Sequence, residues 1–174
     1  MLEPGQRRNS AALKATKRVC FFLGDNMENK YIELALKEAN KAYRNGDFPV
    51  GCVVTYNNKI IAKAHNKKEK NNNAIEHAEI LAISKTCKKL NTWHLEECTL
   101  YTTLEPCVMC IGAIAQARIK KIVYLSENKK FGFTNFFKNS KIINHKITVE
   151  KLNNNSEYES LLIDFFKNKR WNLL

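Results

Sequence analysis

No run of consecutive apolar residues in this chain approaches the roughly 18 that a membrane-spanning helix needs, which excludes a helical span. Acid is scarce: 17 Asp and Glu stand against 29 Lys and Arg, leaving a formal net charge of +12 over 174 residues. Nothing reads as a secretory signal with a small-residue cleavage site. The six cysteines (20, 52, 87, 98, 107 and 110) are therefore expected in a reducing, cytoplasmic compartment rather than in a disulfide framework. In that setting a close Cys pair is more often metal-binding or redox-active. Internal repeats, serine-nucleophile motifs and phosphate-cradling loops are missing too, so no nucleotide cofactor is expected. What remains is ordinary globular material, 44% hydrophobic and 26% charged, whose Ile, Leu, Val and Phe clusters exclude wholesale disorder. The length is that of one domain.

The basic charge has two sources to weigh. Six of the 29 basic residues are Arg and the other 23 Lys, and Asn is abundant, as in Asn71-Asn72-Asn73 and Asn153-Asn154-Asn155. AT-rich coding produces such a bias, and so does a surface built for polyanions. Residues 1–26 stand apart, with Arg7, Arg8, Lys14, Lys17 and Arg18 against Glu3 and Asp25 and no sustained helical stripe. This acid-poor stretch superficially resembles an organellar transit peptide. It is read here as a disordered basic extension ahead of a single domain over 27–174, with Met27 as the domain's true start.

From Met27 the periodicity sharpens. Tyr31, Leu34, Ala35, Ala39, Ala42 and Tyr43 recur at helical spacing up to Gly46 and predict a helix over 28–45. Residues 50–56 and 59–64 are β-rich runs around Asn57-Asn58, a hairpin turn because Asn tolerates positive φ. A polar loop over 66–75 precedes a helix over 76–90. Then follow a strand over 98–103, a helix over 107–117, a strand over 120–125, a loop over 126–140, a strand over 141–149 and a closing helix over 156–170. In that last helix Phe165 and Phe166 cannot both face one core stripe. The alternation predicts an α/β fold, a sheet layered with helices on both faces.

The chemistry-bearing residues sit at two predicted helix starts. His77-Ala78-Glu79 opens one, and Pro106-Cys107-Val108-Met109-Cys110 the other, where Pro106 suits a first turn. Cys107 and Cys110, at i and i+3, share a face, and a helix N-terminus favours thiolate. An imidazole and two thiolates make three zinc ligands. A structural zinc takes four protein ligands, whereas a catalytic one leaves the fourth position to water. Glu79, two residues beyond the His, is then placed to shuttle protons without binding metal. Two other readings stay open: a redox dithiol at Cys107 and Cys110, or a structural zinc with Cys87, Cys98 or His94 as fourth ligand.

These paired motifs resemble the zinc-dependent cytidine-deaminase-like superfamily, and within it the bacterial tRNA-specific adenosine deaminases. The resemblance spans about residues 27–171. It rests on Phe48-Pro49-Val50-Gly51, Asn66, His77-Ala78-Glu79, the run Thr103 to Cys110, Ala117-Arg118-Ile119, and the ending Phe165 to Arg170. It implies a three-layer α/β/α fold with a central mixed sheet of about five strands. It also implies one zinc per chain with a catalytic water, held by His77, Cys107 and Cys110, with Glu79 as proton carrier. Asn66, Phe48, Pro106, Phe166 and Arg170 would contact substrate. The implied reaction is deamination of wobble adenosine 34 to inosine in the anticodon stem-loop of tRNA(Arg). A homodimer is implied as well, with Gly112, Ala113, Ala115 and Ala117 permitting close helix packing. Two departures stand out: Ala74-Ile75-Glu76 where the family has Pro-Thr-Ala, and Asn128 where it has Asp before Lys130 and Gly132. Neither removes a ligand or the proton carrier. The rivals are a deaminase of free guanine or cytosine, and a non-catalytic, zinc-stabilised RNA-binding subunit.

Overall fold

The structure, a computed structural model, describes residues 10–137, 145–153 and 156–171. The elements run α1 (Ser10–Arg44), β1 (Gly51–Tyr56), β2 (Lys59–His65), α2 (Ala78–Leu90), β3 (Cys98–Leu104), α3 (Val108–Gln116), β4 (Lys121–Ser126), α4 (Thr134–Phe137), β5 (Thr148–Lys151) and α5 (Ser156–Trp171). Contacts divide the chain between Lys30 and Tyr31. The sheet and every predicted site residue fall in the second unit. Among the described residues no helix is long and apolar enough to cross a membrane.

The five strands form one mixed sheet in the order β2-β1-β3-β4-β5, antiparallel from β2 to β3 and parallel from β3 to β5. Asn57 and Asn58 turn the β1–β2 hairpin with φ of 48° and 59°, the left-handed pair a two-residue turn requires. Alternation along β1 sends Gly51 to one face and Cys52 to the other. On the first face lies α1, burying Tyr31, Ile32, Ala35, Leu36, Ala39 and Ala42. Gly51 permits the approach, since a Cβ there would overlap the Ala35 carbonyl oxygen and the Ala39 amide. On the other face α2 packs over β1 and β2 and meets α3. Leu100, Ile122, Val123 and Leu125 fill the sheet centre, each supplying roughly 1.5–3 kcal/mol on burial.

This topology gathers one end of the sheet. Gly51, at the start of β1, pairs with His65, at the end of β2, and Leu104, at the end of β3, pairs with Ser126, at the end of β4. The loops after β2, β3 and β4 and the segment before β1 therefore meet at the strands' carboxyl edge, where open α/β sheets hold their ligands.

Several boundaries differ from the sequence reading. α1 starts at Ser10, upstream of residue 28 and inside the stretch read as a disordered extension. Ala11-Ala12-Leu13-Lys14-Ala15 are strong helix formers without an apolar stripe, so propensity makes a helix that periodicity does not register. Residues 1–9 of that stretch lie outside the described residues. β5 occupies Thr148–Lys151 rather than 141–149, and 141–144 lie outside the described residues. It is a largely exposed edge strand, so its alternation is weak. α4 falls inside the predicted 126–140 loop.

Gly51→Ala is expected to cost about 1–3 kcal/mol or more, because the obstruction is backbone on both sides. The midpoint of urea unfolding at constant m-value measures it.

Candidate active site

His77 and Cys107 are the N-cap residues of α2 and α3, with extended ψ of 151° and 174°. The sequence placed them inside the helices, with Pro106 in a first turn. Pro106 instead precedes the cap, and its carbonyl accepts the Phe133 N–H at 3.0 Å. The correction matters chemically, because a cap side chain projects past the helix end, toward the positive pole of the dipole. Cys110 follows one turn into α3 and is buried; His77 and Cys107 are half-buried.

The three donor atoms form a tight triangle. Cys107 Sγ lies 3.6 Å from Cys110 Sγ and 3.7 Å from His77 Nδ1, and Cys110 Sγ lies 3.5 Å from Nδ1. A tetrahedral zinc with bonds of about 2.3 Å to sulfur and about 2.0–2.1 Å to nitrogen has ligand edges of about 3.8 and 3.6 Å. The donor set and its spacing fit that ion. Among the described residues these are the only three His, Cys, Asp or Glu groups clustered closely enough to share a metal. Cys87, Cys98 and His94 are not in the cluster, so no fourth donor joins it among the described residues.

The electrostatics match crowded donors. The hydrogen bond shared with Cys110 holds the Cys107 thiol low, to about 4, against burial, with His77 helping. The same bond and burial push Cys110 up. His77 is raised, mainly by its bond with Cys107, and burial opposes this. Glu79, 4% exposed in the first turn of α2, is raised to about 7, chiefly by burial, and its carboxyl meets the Cys110 thiol.

Asn66 has a structural role. Its Oδ1 accepts the Ala78 N–H at 2.8 Å, capping α2, and its own N–H donates to the Val50 carbonyl at 3.1 Å. With Oδ1 committed, the amide N–H2 is the group left to meet a ligand. Behind it, Glu38 lies 2.8 Å from His65 Nδ1 and accepts a bond from Lys41 at 2.7 Å. Burial would raise the Glu38 carboxyl, but those partners outweigh it and hold it low.

The loop between β2 and α2 is tied by two acids. Asp47, fully buried, accepts the N–H groups of Glu69 and Lys70 at 2.7 and 3.1 Å. Glu76 accepts the side-chain amides of Asn71 and Asn73 at 2.7 and 3.2 Å. The Ala74-Ile75-Glu76 departure thus carries its own bonding and leaves Ile75 exposed.

Phe48 and Phe166 are adjacent but in a separate group. The Phe48 ring centroid lies 5.5 Å from Phe165 and 5.7 Å from Phe166, both edge-on. Phe165 is buried and Phe166 52% exposed, so the two part company as their adjacency demands. Tyr43 joins the group, donating to Asp164 and accepting from Asn168 at 2.9 Å. The Arg170 side chain lies outside the described residues. Sequence reasoning missed Asp47 and Glu105. The available signal was a lone acid beside a buried run, at Glu105 after a strand of Leu and Thr.

Three potential metal donors thus stand beside a buried carboxyl. A family model for MafB19-like deaminases matches residues 26–170. At 40% identity the chain aligns with a tRNA-specific adenosine deaminase of Aquifex aeolicus, over 83% of this chain and 97% of that protein. A solved tRNA:A34 deaminase, studied for A-to-I editing at the wobble position, superposes with a TM-score of 0.68 and 33% identity over 71% of this chain and 98% of its own. A Bacillus subtilis guanine deaminase gives 0.58 and 28%, over 84% and 94%. The chain belongs to the tRNA-specific adenosine deaminase family.

His77→Ala and Cys107→Ser are each expected to lower bound zinc from about one ion per chain to well below half at micromolar metal. Elemental analysis after gel filtration reads this, and full zinc in either variant refutes the ligand set.

Proposed function

We propose that this protein hydrolyses the 6-amino group of the wobble adenosine, nucleotide 34, in the anticodon loop of tRNA(Arg), giving inosine and ammonia. The observation that carries the reading is the three-ligand triangle with Glu79 buried against it. His77, Cys107 and Cys110 would hold one zinc ion, which when bound lowers the pKa of a coordinated water from 15.7 to about 7. Glu79 takes a proton from the water and gives it to purine N1 as oxygen bonds to C6. It then takes the proton of the hydroxyl now on C6 and passes it to the amino group as the C6–N bond breaks, so one water is consumed for each ammonia released. The Asn66 amide N–H2 donates to the purine and orients it.

A base must leave its stack to reach a buried carboxyl, which favours a single-stranded anticodon loop. Phe48 and Phe166 offer ring surface beside the entrance, and Arg170, with other Lys and Arg, serves the phosphates. Pro106 walls the metal side. The net charge supports a polyanion, and binding then weakens with salt. A homodimer, joined near Gly112, Ala113 and Ala115 with Val108 and Met109 exposed on the same helix, is part of the proposal. So are a cytoplasmic setting and a domain over 27–174 with residues 1–26 as an extension.

The deciding experiment offers the zinc-loaded protein an arginine tRNA stem-loop with adenosine 34, alongside free guanine, adenine, cytosine and cytidine. Inosine at position 34 without ammonia from the free bases supports the reading, and ammonia from guanine alone overturns it. Glu79→Ala should keep its zinc and lose about 10²–10⁴-fold in kcat. Wild-type turnover in that variant would remove Glu79 from the reaction.

Asn66→Asp separates the two duties of that residue. The carboxylate keeps an acceptor for the Ala78 N–H, so the melting temperature should hold within a few degrees. Loss of the N–H2 donor should lower kcat/KM by about tenfold or more. Asn66→Ala should lose both, with a stability cost of about 1 kcal/mol from the missing cap.

A further inference from the structure

Glu105 takes no part in the chemistry above, yet its carboxylate is 2% exposed and densely bonded. Oε1 accepts the Thr134 backbone N–H at 3.0 Å and the Thr134 hydroxyl at 2.6 Å, and Oε2 accepts the Asn128 N–H at 3.1 Å. Gly132 closes over it, and a Cβ at that position would overlap the carboxylate. These partners belong to the segment joining β4 to α4 and to the first residue of α4. That segment is bonded to the metal-side turn in its own right: Gly132 bridges Cys107, and the Phe133 N–H reaches the Pro106 carbonyl.

Within the loop Asn128 makes an Asx turn, its Oδ1 accepting the Phe131 N–H at 3.0 Å and its carbonyl the Gly132 N–H at 2.8 Å. The turn displays Lys129, Lys130 and Phe131 in a row, all exposed, with Lys130 Nζ 5.6 Å from the Phe131 ring centroid. A buried carboxylate is tolerated only when its lone pairs are taken. Here one loop supplies the donors, so the acid dictates the loop's shape. An ammonium beside an exposed ring is what a single-stranded nucleotide needs, one group for its phosphate and one for its base.

We propose that Glu105 is a positioning residue for RNA recognition: it fixes the 127–134 loop beside Cys107 so that Lys130 and Phe131 meet a nucleotide flanking the target. The ligand in this inference rests on the tRNA reading, while the anchoring rests on geometry alone.

Glu105→Gln keeps the size but sets an N–H2 against an N–H donor, and Thr134→Val removes only a hydroxyl. Both are expected to keep full zinc. Amide hydrogen exchange at Asn128 and Thr134 should rise about tenfold or more in Glu105→Gln as local opening becomes easier. KM for the stem-loop should rise about tenfold while kcat stays within about twofold. Phe131→Ala should raise KM similarly and add little on top of Glu105→Gln, the coupling expected of residues acting through one loop. Should Glu105→Gln not fold, Thr134→Val carries the same readouts with smaller shifts. Unchanged exchange overturns the anchoring. A loosened loop with unchanged KM overturns the RNA role, as does a loss of kcat and zinc at constant KM. If the wild type makes no inosine, the tRNA reading falls, and the exchange measurement still decides whether Glu105 holds the loop.

Discussion

Two sulfurs and an imidazole nitrogen, each within 3.7 Å of the others, are an arrangement that a cation rewards and that nothing else in the core requires. Thiolates repel one another, and burial alone disfavours their charge. The fold offsets this by delivering both at the N-terminus of α3, where free N–H groups and the dipole favour negative charge, with His77 at the N-terminus of α2 beside them. The helices in turn must end beside each other, which α2 and α3 do because both lie on one sheet face and begin at the same sheet edge. Gly51, on the opposite face, contributes by letting α1 settle close enough for β1 to hold its place in the sheet.

The entrance depends on a different device. Asp47, Glu38 and Glu105 are buried acids, and each binds a segment at the strands' carboxyl edge. Asp47 takes two N–H groups of the loop ahead of His77, Glu38 holds the end of β2 beside Asn66, and Glu105 holds the loop facing Cys107. A carboxylate accepts several donors at once and is costly to leave bare, so it fixes a loop's conformation where an apolar side chain would only cover it. These loops carry long polar stretches, and such ties order them without a larger core.

The cluster of His77, Cys107 and Cys110 and the alternation of strands and helices were legible because both are local signals. His77-x-Glu79 and Cys107-x-x-Cys110 declare themselves by spacing, and the Asn57-Asn58 turn by its tolerance of positive φ. The strand order, by contrast, depends on pairings between distant segments and was not legible; the family resemblance implied only a mixed sheet of about five strands. The start of α1 was missed because Ala11 to Ala15 form helix without amphipathic periodicity. β5 was misplaced because an exposed edge strand has little alternation to read. Asp47 and Glu105 could not be ranked, since their partners are backbone amides 22 to 29 residues away. Asn66 was read as a substrate contact, and its bond to Ala78 gives it a second role, as a cap.

The metal corner is the least selective part of this site. Three clustered donors with a neighbouring acid would serve attack on any amino-bearing ring that reached them, and a guanine deaminase shares the fold. Discrimination therefore falls to the walls, and there the chain has its own chemistry. Glu76 replaces the family's Ala and gathers Asn71 and Asn73, which settles the loop and leaves Ile75 facing outward. Asn128 replaces Asp and spends its side-chain oxygen on the Phe131 amide, so it presents the loop rather than a charge. On the other side α5 is latched by Tyr43 to Asp164 and Asn168, which sets Phe166 outward beside Phe48. Ile75, Phe131 and Phe166 are thus exposed apolar side chains, each carried on a polar lattice that fixes where it stands.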